Sequence, residues 1–173
     1  SGVENAVPVT GTDFYPTILD LCGLKLKPEE HMDGISLLPL LNGDSIEDRP
    51  LYWHYPHYGN QGGDPTSIIR ECDWKLIFYW EDGCAELYNL KDDPAEENDV
   101  SDSYLEITNS MTIQLLGWLD AVDANLPIPD PQYQEARSIQ DHQAYIEILL
   151  PRLEEQRLMY LSEGWKPNKD WWG

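Results

Sequence analysis

The chain has 173 residues, the size of one ordinary domain or of one domain with an appendage. Hydrophobic residues make up 41% of it, which is enough to form a packed core and excludes a disordered chain. The 32 acidic residues outnumber the 11 basic ones and give a formal net charge of −21. Because such a chain repels phosphate backbones, nucleic acid is not expected as a partner, and no apolar run approaches the roughly 20 residues of a membrane span.

The first predicted helix spans residues 13–22, with Thr12 as its N-cap and Gly23 as its stop. Asp13, near the helix N-terminus, is interpreted as a capping and dipole residue rather than a ligand. The apolar residues of this helix recur at helical spacing and predict a buried stripe, made of Phe14, Ile18, Leu21 and Cys22.

A loop and a polar turn separate this helix from the next region. His31 and Asp33 in the loop are two potential metal ligands without a third, which does not define a metal site. The polar turn at residues 43–48 indicates a subdomain boundary.

Residues 49–90 are the part of the chain densest in aromatic side chains, and their alternation predicts a meander of four strands. Trp74, Leu76, Phe78 and Trp80 alternate with Lys75, Ile77 and Tyr79, which indicates two different faces of one strand. Glu81-Asp82-Gly83 predicts a hairpin turn in which Gly83 takes a positive φ. The predicted strands cover residues 51–55, 66–71, 74–80 and 84–90.

The three cysteines, Cys22, Cys72 and Cys84, form an odd set without C-x-x-C spacing, which indicates neither a zinc knuckle nor a redox motif. We expect small buried residues, although Cys72 and Cys84 flank one predicted strand and a bond between them is the alternative. Arg70 and Lys75 are the only cations between residues 51 and 90, and surface or salt-bridged roles are expected for both.

An amphipathic helix is predicted over residues 103–123, capped by Ser101 or Asp102 and packed across the sheet. Its apolar stripe consists of Leu105, Thr108, Met111, Leu115, Leu119 and Val122. The proline-rich segment 126–131 predicts an extended linker. A helical tail follows over residues 134–163, in which Pro151 is expected to cause a kink or to start a second helix.

Several segments in series resemble the C-terminal part of the arylsulfatase family, in the family's order and spacing. They are VPVTGTDFYPTILDLCGL with DGISLLPLLNG, then PLYWHYPHYGNQGG, then IRECDWKLI, and then ELYNLKDDPAEEND. The resemblance covers residues 2–130 and implies that residues 1–48 trail from the family's large α/β domain. It also implies that residues 49–130 form the C-terminal subdomain, with residues 131–173 as a separate helical tail.

The chemistry that the resemblance implies is hydrolysis of sulfate esters. The family uses a formylglycine nucleophile, made in a Cys/Ser-x-Pro-x-Arg motif, and a calcium ion held by Asp and Asn side chains. The chain has no Cys/Ser-x-Pro-x-Arg sequence, because Cys22 is followed by Gly-Leu-Lys, Cys72 by Asp-Trp-Lys and Cys84 by Ala-Glu-Leu. We therefore expect this chain to carry no catalytic residue and no metal site, and to be inactive alone.

The resemblance further implies that the loop after the first strand of the meander faces the active-site cleft. Imidazole and amide groups on this glycine-hinged loop suit hydrogen bonding to sugar hydroxyls and sulfate. Simple packing on the strand is the alternative for the first of the two histidines. The expected substrate contacts are His57, His54, Asn60 and Gln61.

Taken together, these features predict an α+β fold, with a four-stranded antiparallel sheet packed by a helix. The implied function is that of a C-terminal fragment of a sulfatase acting on a sulfated carbohydrate, and the alternative is a free-standing carbohydrate-binding or protein-interaction module. The expected partner is the missing N-terminal sulfatase domain. Without it, the helix at residues 14–21 would expose apolar surface, and a homodimer is possible. If the protein is like bacterial family members, it is periplasmic or secreted.

Overall fold

The computed structural model describes residues 2, 4–59 and 63–166, and the chain divides into two compact units. The first unit consists of Ser1–Pro56 and Pro65–Ala124, and the second of His57–Asp64 and Asn125–Gly173. The proposed boundaries after residues 48 and 130 stay a prediction.

The first unit contains a four-stranded antiparallel sheet in which each strand pairs with its neighbour in sequence, in the order β1-β2-β3-β4. The predicted α+β fold is therefore confirmed. Gly83 takes a φ of 74° in the turn before the last strand, as its position predicts. The strands are β1 (Leu51–Tyr55), β2 (Thr66–Glu71), β3 (Trp74–Tyr79) and β4 (Ala85–Asn89).

Helix α3 (Leu105–Ala121) covers one face of this sheet and forms the core with it. The alternation of β3 is confirmed, because Leu76 is fully buried under the helix and Trp74 and Phe78 pack beside it. Tyr52 stacks on Trp118, with ring centroids 4.5 Å apart. The buried core consists of Ile69, Leu76, Leu87, Met111, Leu115 and Leu119.

The ends of α3 differ from the prediction. Leu105 and Val122, the outermost members of the predicted stripe, are exposed, whereas Met111, Leu115 and Leu119 are buried. Tyr104 occupies the N-cap position and forms no side-chain cap hydrogen bond. Ser101 does not cap the helix, since its hydroxyl bonds the Asp99 carboxylate and its carbonyl accepts from Thr108.

Helix α1 (Phe14–Leu21) follows a 3₁₀ turn at Gly11–Asp13 that Thr10, rather than the predicted Thr12, caps. The predicted buried stripe of this helix is wrong. Phe14 is 64% exposed, Ile18 57% and Leu21 56%, and Cys22 is exposed too.

The inward face of α1 is polar because it receives backbone N–H groups from the segment before the short helix α2 (Leu38–Asn42). Asp13 Oδ1 accepts from Ile35 N at 3.0 Å, and Thr17 Oγ accepts from Leu37 N at 2.9 Å. Buried N–H groups need such acceptors, so this face packs inward although it is the less apolar one.

All three cysteines are free and exposed, so the expectation of buried residues is wrong. The alternative bond between Cys72 and Cys84 does not form either. Cys72 precedes β3 and Cys84 follows it, and the six residues of this strand span about 20 Å at ~3.3 Å per residue.

The second unit contains the predicted helical tail, with α4 (Glu135–Ala144), a π-helical segment (Tyr145–Leu149) and α5 (Leu150–Tyr160). Pro151 lies at the start of α5, as predicted. Proline has no N–H to donate to the carbonyl one turn earlier, and the π-helical turn before Pro151 accommodates this missing hydrogen bond. Trp165 packs on Tyr160, whereas Trp171 and Trp172 lie outside the described residues. Within the described ranges, no helix is both long enough and apolar enough to cross a membrane.

Candidate functional site

The four predicted substrate contacts lie on β1 and in the loop after it. His54 is on β1, and His57 is exposed in the loop between β1 and β2. Gly59 N donates to Gly63 O at 2.9 Å, which closes this loop. Asn60 and Gln61 lie outside the described residues, so their predicted role stays a prediction.

His54 is held by a buried serine on the neighbouring strand. Its Nδ1 lies 2.7 Å from Ser67 Oγ, and the same oxygen accepts a hydrogen bond from Trp80 Nε1 at 2.8 Å. The imidazole also meets the Trp80 ring edge-on, with centroids 6.1 Å apart. The cross-strand pairing of His54 with Ser67 brings these groups together.

This arrangement favours one tautomer of neutral His54. The indole N–H can only donate, so Ser67 Oγ accepts from Trp80 and keeps its own hydrogen to donate. Ser67 is fully buried, and the acceptor within reach of its hydroxyl is Nδ1 of His54. Nε2 therefore carries the ring hydrogen and is a donor, the kind of group that binds a sugar hydroxyl or a sulfate oxygen.

The sheet face away from α3 presents a second set of side chains. Trp53 is 43% exposed and Tyr55 55% exposed, and both lie on this face because β1 alternates. Lys75 on the same face forms an ion pair with Glu96, with Nζ 2.7 Å from Oε1, which confirms its predicted salt-bridged role. Arg70 is half-buried beside it and forms no ion pair within the described part of the chain.

Two phenols on this face share one carboxylate. Glu86 Oε2 accepts from Tyr79 Oη at 2.7 Å and from Tyr88 Oη at 2.9 Å. Burial, and then the hydrogen bond to Glu86, raise the pKa of the Tyr88 phenol well above its usual range. This cluster is a structural element of the sheet edge and does not involve a predicted site residue.

The main feature that sequence reasoning missed is a buried ion pair between Asp13 and Arg49. The Asp13 carboxylate is fully buried and also accepts from Thr10 N at 2.8 Å. The interpretation of Asp13 as a capping residue was right, but its ion-pair partner, Arg49, lies 36 positions away in the sequence. No local pattern indicates such a pair.

The described residues offer no site for the calcium ion or the nucleophile of the family. Over residues 2, 4–59 and 63–166, no three His, Cys, Asp or Glu side chains are placed to hold a metal ion. His31 uses both ring nitrogens on backbone groups, so it has no lone pair left for a metal. The described residues therefore do not fit a metal ion, and the calcium and the nucleophile of the family stay a prediction for the intact enzyme.

The antiparallel meander, the helix across it and the helix before it define the C-terminal region of a sulfatase. The chain aligns with BT4656, a protein solved in complex with its substrate D-glucosamine-2-N,6-O-disulfate. The TM-score is 0.53 at 28% sequence identity, and the match covers 62% of this chain and 23% of that chain.

The family described as "N-sulphoglucosamine sulphohydrolase, C-terminal" matches residues 2–120, and the chain belongs to this family. A sulfatase of Formosa agariphila is 34% identical over an alignment of 134 residues, and the match covers 69% of this chain and 24% of that protein. Arylsulfatase K of Mus musculus is 33% identical over an alignment of 116 residues, and the match covers 62% of this chain and 20% of that protein. The chain thus spans a quarter or less of the length of these relatives. Since they include a mouse protein, the expectation of a bacterial protein stays a prediction.

Proposed function

We propose that the chain acts as the C-terminal region of a sulfuric ester hydrolase for a sulfated carbohydrate, supplying contacts to the substrate rather than the reacting groups. The observation that carries this proposal is membership in the sulfatase family, combined with a histidine on β1 and a second one in the segment that follows it in sequence. His54 supports it, because Ser67 orients its ring.

The reacting groups are assigned to the part of a sulfatase that precedes the matched region. That part would hold the formylglycine and the calcium ion of the family, which would supply the nucleophile and a positive charge. This chain's own contribution would be to bind and orient the sugar through His54, His57, Asn60 and Gln61.

The exposed stripe of α1 is the proposed contact with that preceding part. Phe14, Ile18 and Leu21 recur one turn apart and present a continuous apolar strip to solvent. The occupant is an apolar face of the preceding sulfatase region, because relatives have at least three quarters of their length outside the match. If the purified chain pairs with a second copy instead, Ile18→Ser will abolish that pairing in sedimentation velocity.

A second candidate function, a free-standing carbohydrate-binding module, is favoured by one observation. Trp53 and Tyr55 lie two residues apart on the outer face of an edge strand, where a sugar ring can stack. This alternative places the ligand on the opposite face of the sheet from His54.

The experiment is an NMR titration of the purified chain with D-glucosamine-2-N,6-O-disulfate, with unsulfated glucosamine as the ligand control. We expect weak binding, with a Kd of about 1 mM or higher because the chain spans a quarter or less of its relatives' length, that shifts resonances of His54 and of residues 57–63. His57→Ala is expected to remove these shifts, and His142→Ala, which changes an exposed histidine on α4, is expected to keep them. Shifts centred on Trp53 and Tyr55 would favour the binding module, and shifts unaffected by His57→Ala would contradict the proposed role of the loop.

A further inference from the structure

The loop before α2 is closed by a histidine that bonds the backbone at both ends. We call residues 27–34 the clasp loop. Lys27 N donates to His31 Nε2 at 3.2 Å, and His31 Nδ1 lies 3.0 Å from Gly34 O. The imidazole is half-buried and thus joins the first and last residues of the loop.

These two contacts are compatible with only one protonation state of His31. A backbone N–H only donates, so Nε2 must offer a lone pair to Lys27. A carbonyl only accepts, so Nδ1 must carry the hydrogen that bonds Gly34. The imidazolium form has a hydrogen on both nitrogens and cannot accept from Lys27. A proton and the Lys27 N–H therefore compete for the same lone pair on Nε2.

The charged and titratable groups around His31 come from the clasp loop and from α1. Tyr15 on α1 meets the imidazole edge-on, with centroids 6.2 Å apart, and its hydroxyl donates to Glu30 Oε2 at 2.8 Å. Lys27 Nζ also bonds Glu30, at 3.1 Å, and the hydrogen bonds from Tyr15 and Lys27 lower the pKa of that carboxyl. The Glu30 carboxylate attracts an imidazolium, but it is exposed and screened by water. This attraction does not restore the lost acceptor.

The far end of the clasp loop is fixed independently of His31. Arg49 Nη1 donates to Asp33 O at 2.8 Å, and Asp13 Oδ1 holds Ile35 N. Gly34 lies so close to Thr12 that an added Cβ would be 2.2 Å from the Thr12 carbonyl oxygen. Loss of the Nε2 contact would therefore uncover the Lys27 amide, while the far end of the loop stays anchored and Glu30 N and His31 N still donate to Lys27 O.

We propose that protonation of His31 controls the clasp loop. At neutral pH the Nδ1–H tautomer accepts the hydrogen bond from Lys27 N, and in acid Nε2 takes up a proton and this hydrogen bond is lost. The clasp loop lines a cavity of about 240 Å³ together with Tyr15 and Thr12.

A consequence for the sulfatase follows only if the proposed function is correct. The exposed Met32 of the clasp loop and Leu24 and Leu26 just before it adjoin the C-terminal end of α1 in sequence. Loss of the contact to Lys27 would loosen the segment that follows, in sequence, the strip proposed to contact the preceding part of the enzyme. Acid would then regulate how the two parts fit together.

The test uses NMR on the intact 173-residue chain and requires no sulfated substrate, so it can succeed or fail independently of the proposed function. At pH 8 the ¹⁵N shifts of the His31 ring are expected to show hydrogen on Nδ1 and a bare Nε2. The protection factor of the Lys27 amide, corrected for intrinsic exchange, is expected to fall about tenfold between pH 8 and pH 5.

Two variants make the test specific. His31→Phe fills the same space without an acceptor, and we expect the Lys27 amide to be equally unprotected at pH 8 and pH 5. His142→Phe changes an exposed histidine in the other unit and is expected to keep the wild-type response. Hydrogen on Nε2 at pH 8, or an unchanged Lys27 protection factor at pH 5, would overturn the proposal. So would a pH response retained in His31→Phe, and if that variant fails to fold, the tautomer in the wild-type chain decides.

Discussion

Arg49 bonds the buried carboxylate of Asp13, 36 residues earlier in the chain, with Nη2 2.6 Å from Oδ1 and 2.5 Å from Oδ2. Through Asp13 and the carbonyl of Asp33, one guanidinium joins the start of α1, the clasp loop and the residue that leads into β1. This buried ion pair therefore helps to fix the relative positions of these three segments.

Arg49→Ala is expected to lower the free energy of unfolding by about 3 kcal/mol, because the Asp13 charge would stay buried without its partner. Urea denaturation followed by circular dichroism measures this loss. Arg157→Ala is the matched control, since it breaks an exposed pair with Glu154 and is expected to have no measurable effect. Similar losses in the two variants would contradict a structural role of the buried pair.

Gly34→Ala is expected to destabilise the chain by about 1–3 kcal/mol, because the added Cβ would lie 2.2 Å from the backbone oxygen of Thr12. Gly117→Ala is the control. It lies in α3 with open space around it, so the same change there is expected to stabilise by about 0.5–1 kcal/mol. Thermal unfolding of both variants checks the prediction, and a stable Gly34→Ala protein would show that α1 and the clasp loop can separate without cost.

Ser67→Ala is expected to cost about 1–3 kcal/mol, since it leaves the indole N–H of Trp80 and Nδ1 of His54 without their hydroxyl partner. The neutral His54 ring is also expected to lose its single tautomer, which ¹⁵N shifts of the imidazole would reveal. Ser110→Ala, on the exposed side of α3, is expected to change neither quantity. An unchanged His54 spectrum in Ser67→Ala would mean that another group sets the tautomer.

Tyr88 is expected to ionise at higher pH than an ordinary tyrosine, because burial and the Glu86 carboxylate raise the pKa of its phenol. Because the pKa of the Tyr88 phenol is raised in the folded state, folded Tyr88 keeps its proton above about pH 10, where the same phenol in the unfolded chain loses it. Stability is thus full below that pH and falls as pH rises above it. Absorbance at 295 nm measures the titration, and Tyr88→Phe is expected to remove its highest-pH component; a Tyr88→Phe curve that keeps this component would contradict the prediction.

Regular features of the sheet could be predicted from the sequence. The alternation around Leu76 and the turn at Gly83 follow from the two-residue period of a strand and from the turn chemistry of glycine, both of which are local. Local periodicity could not show which face of α1 packs inward. Its apolar spacing was correct, but Asp13 and Thr17 face inward to bond a segment about 20 residues away, a contact that helical periodicity does not contain.

The site was predictable only in part. His54 and His57 follow from their position around the end of β1, whereas the bond from His54 to Ser67 depends on strand register. Ser67 lies on the same face of β2 as the buried Ile69, and its cross-strand position opposite His54 is the signal that could have identified it. The roles of His54 and His57 toward a substrate stay predictions.

The most direct measurement is sulfate release from D-glucosamine-2-N,6-O-disulfate by two purified proteins. One is the 173-residue chain, and the other is the product of the longest open reading frame that contains it. The proposed function predicts a Cys/Ser-x-Pro-x-Arg motif upstream of the matched region, metal-dependent release by the longer product and none by the chain alone. Metal-dependent release by the 173-residue chain, or a reading frame with no such motif, would contradict it.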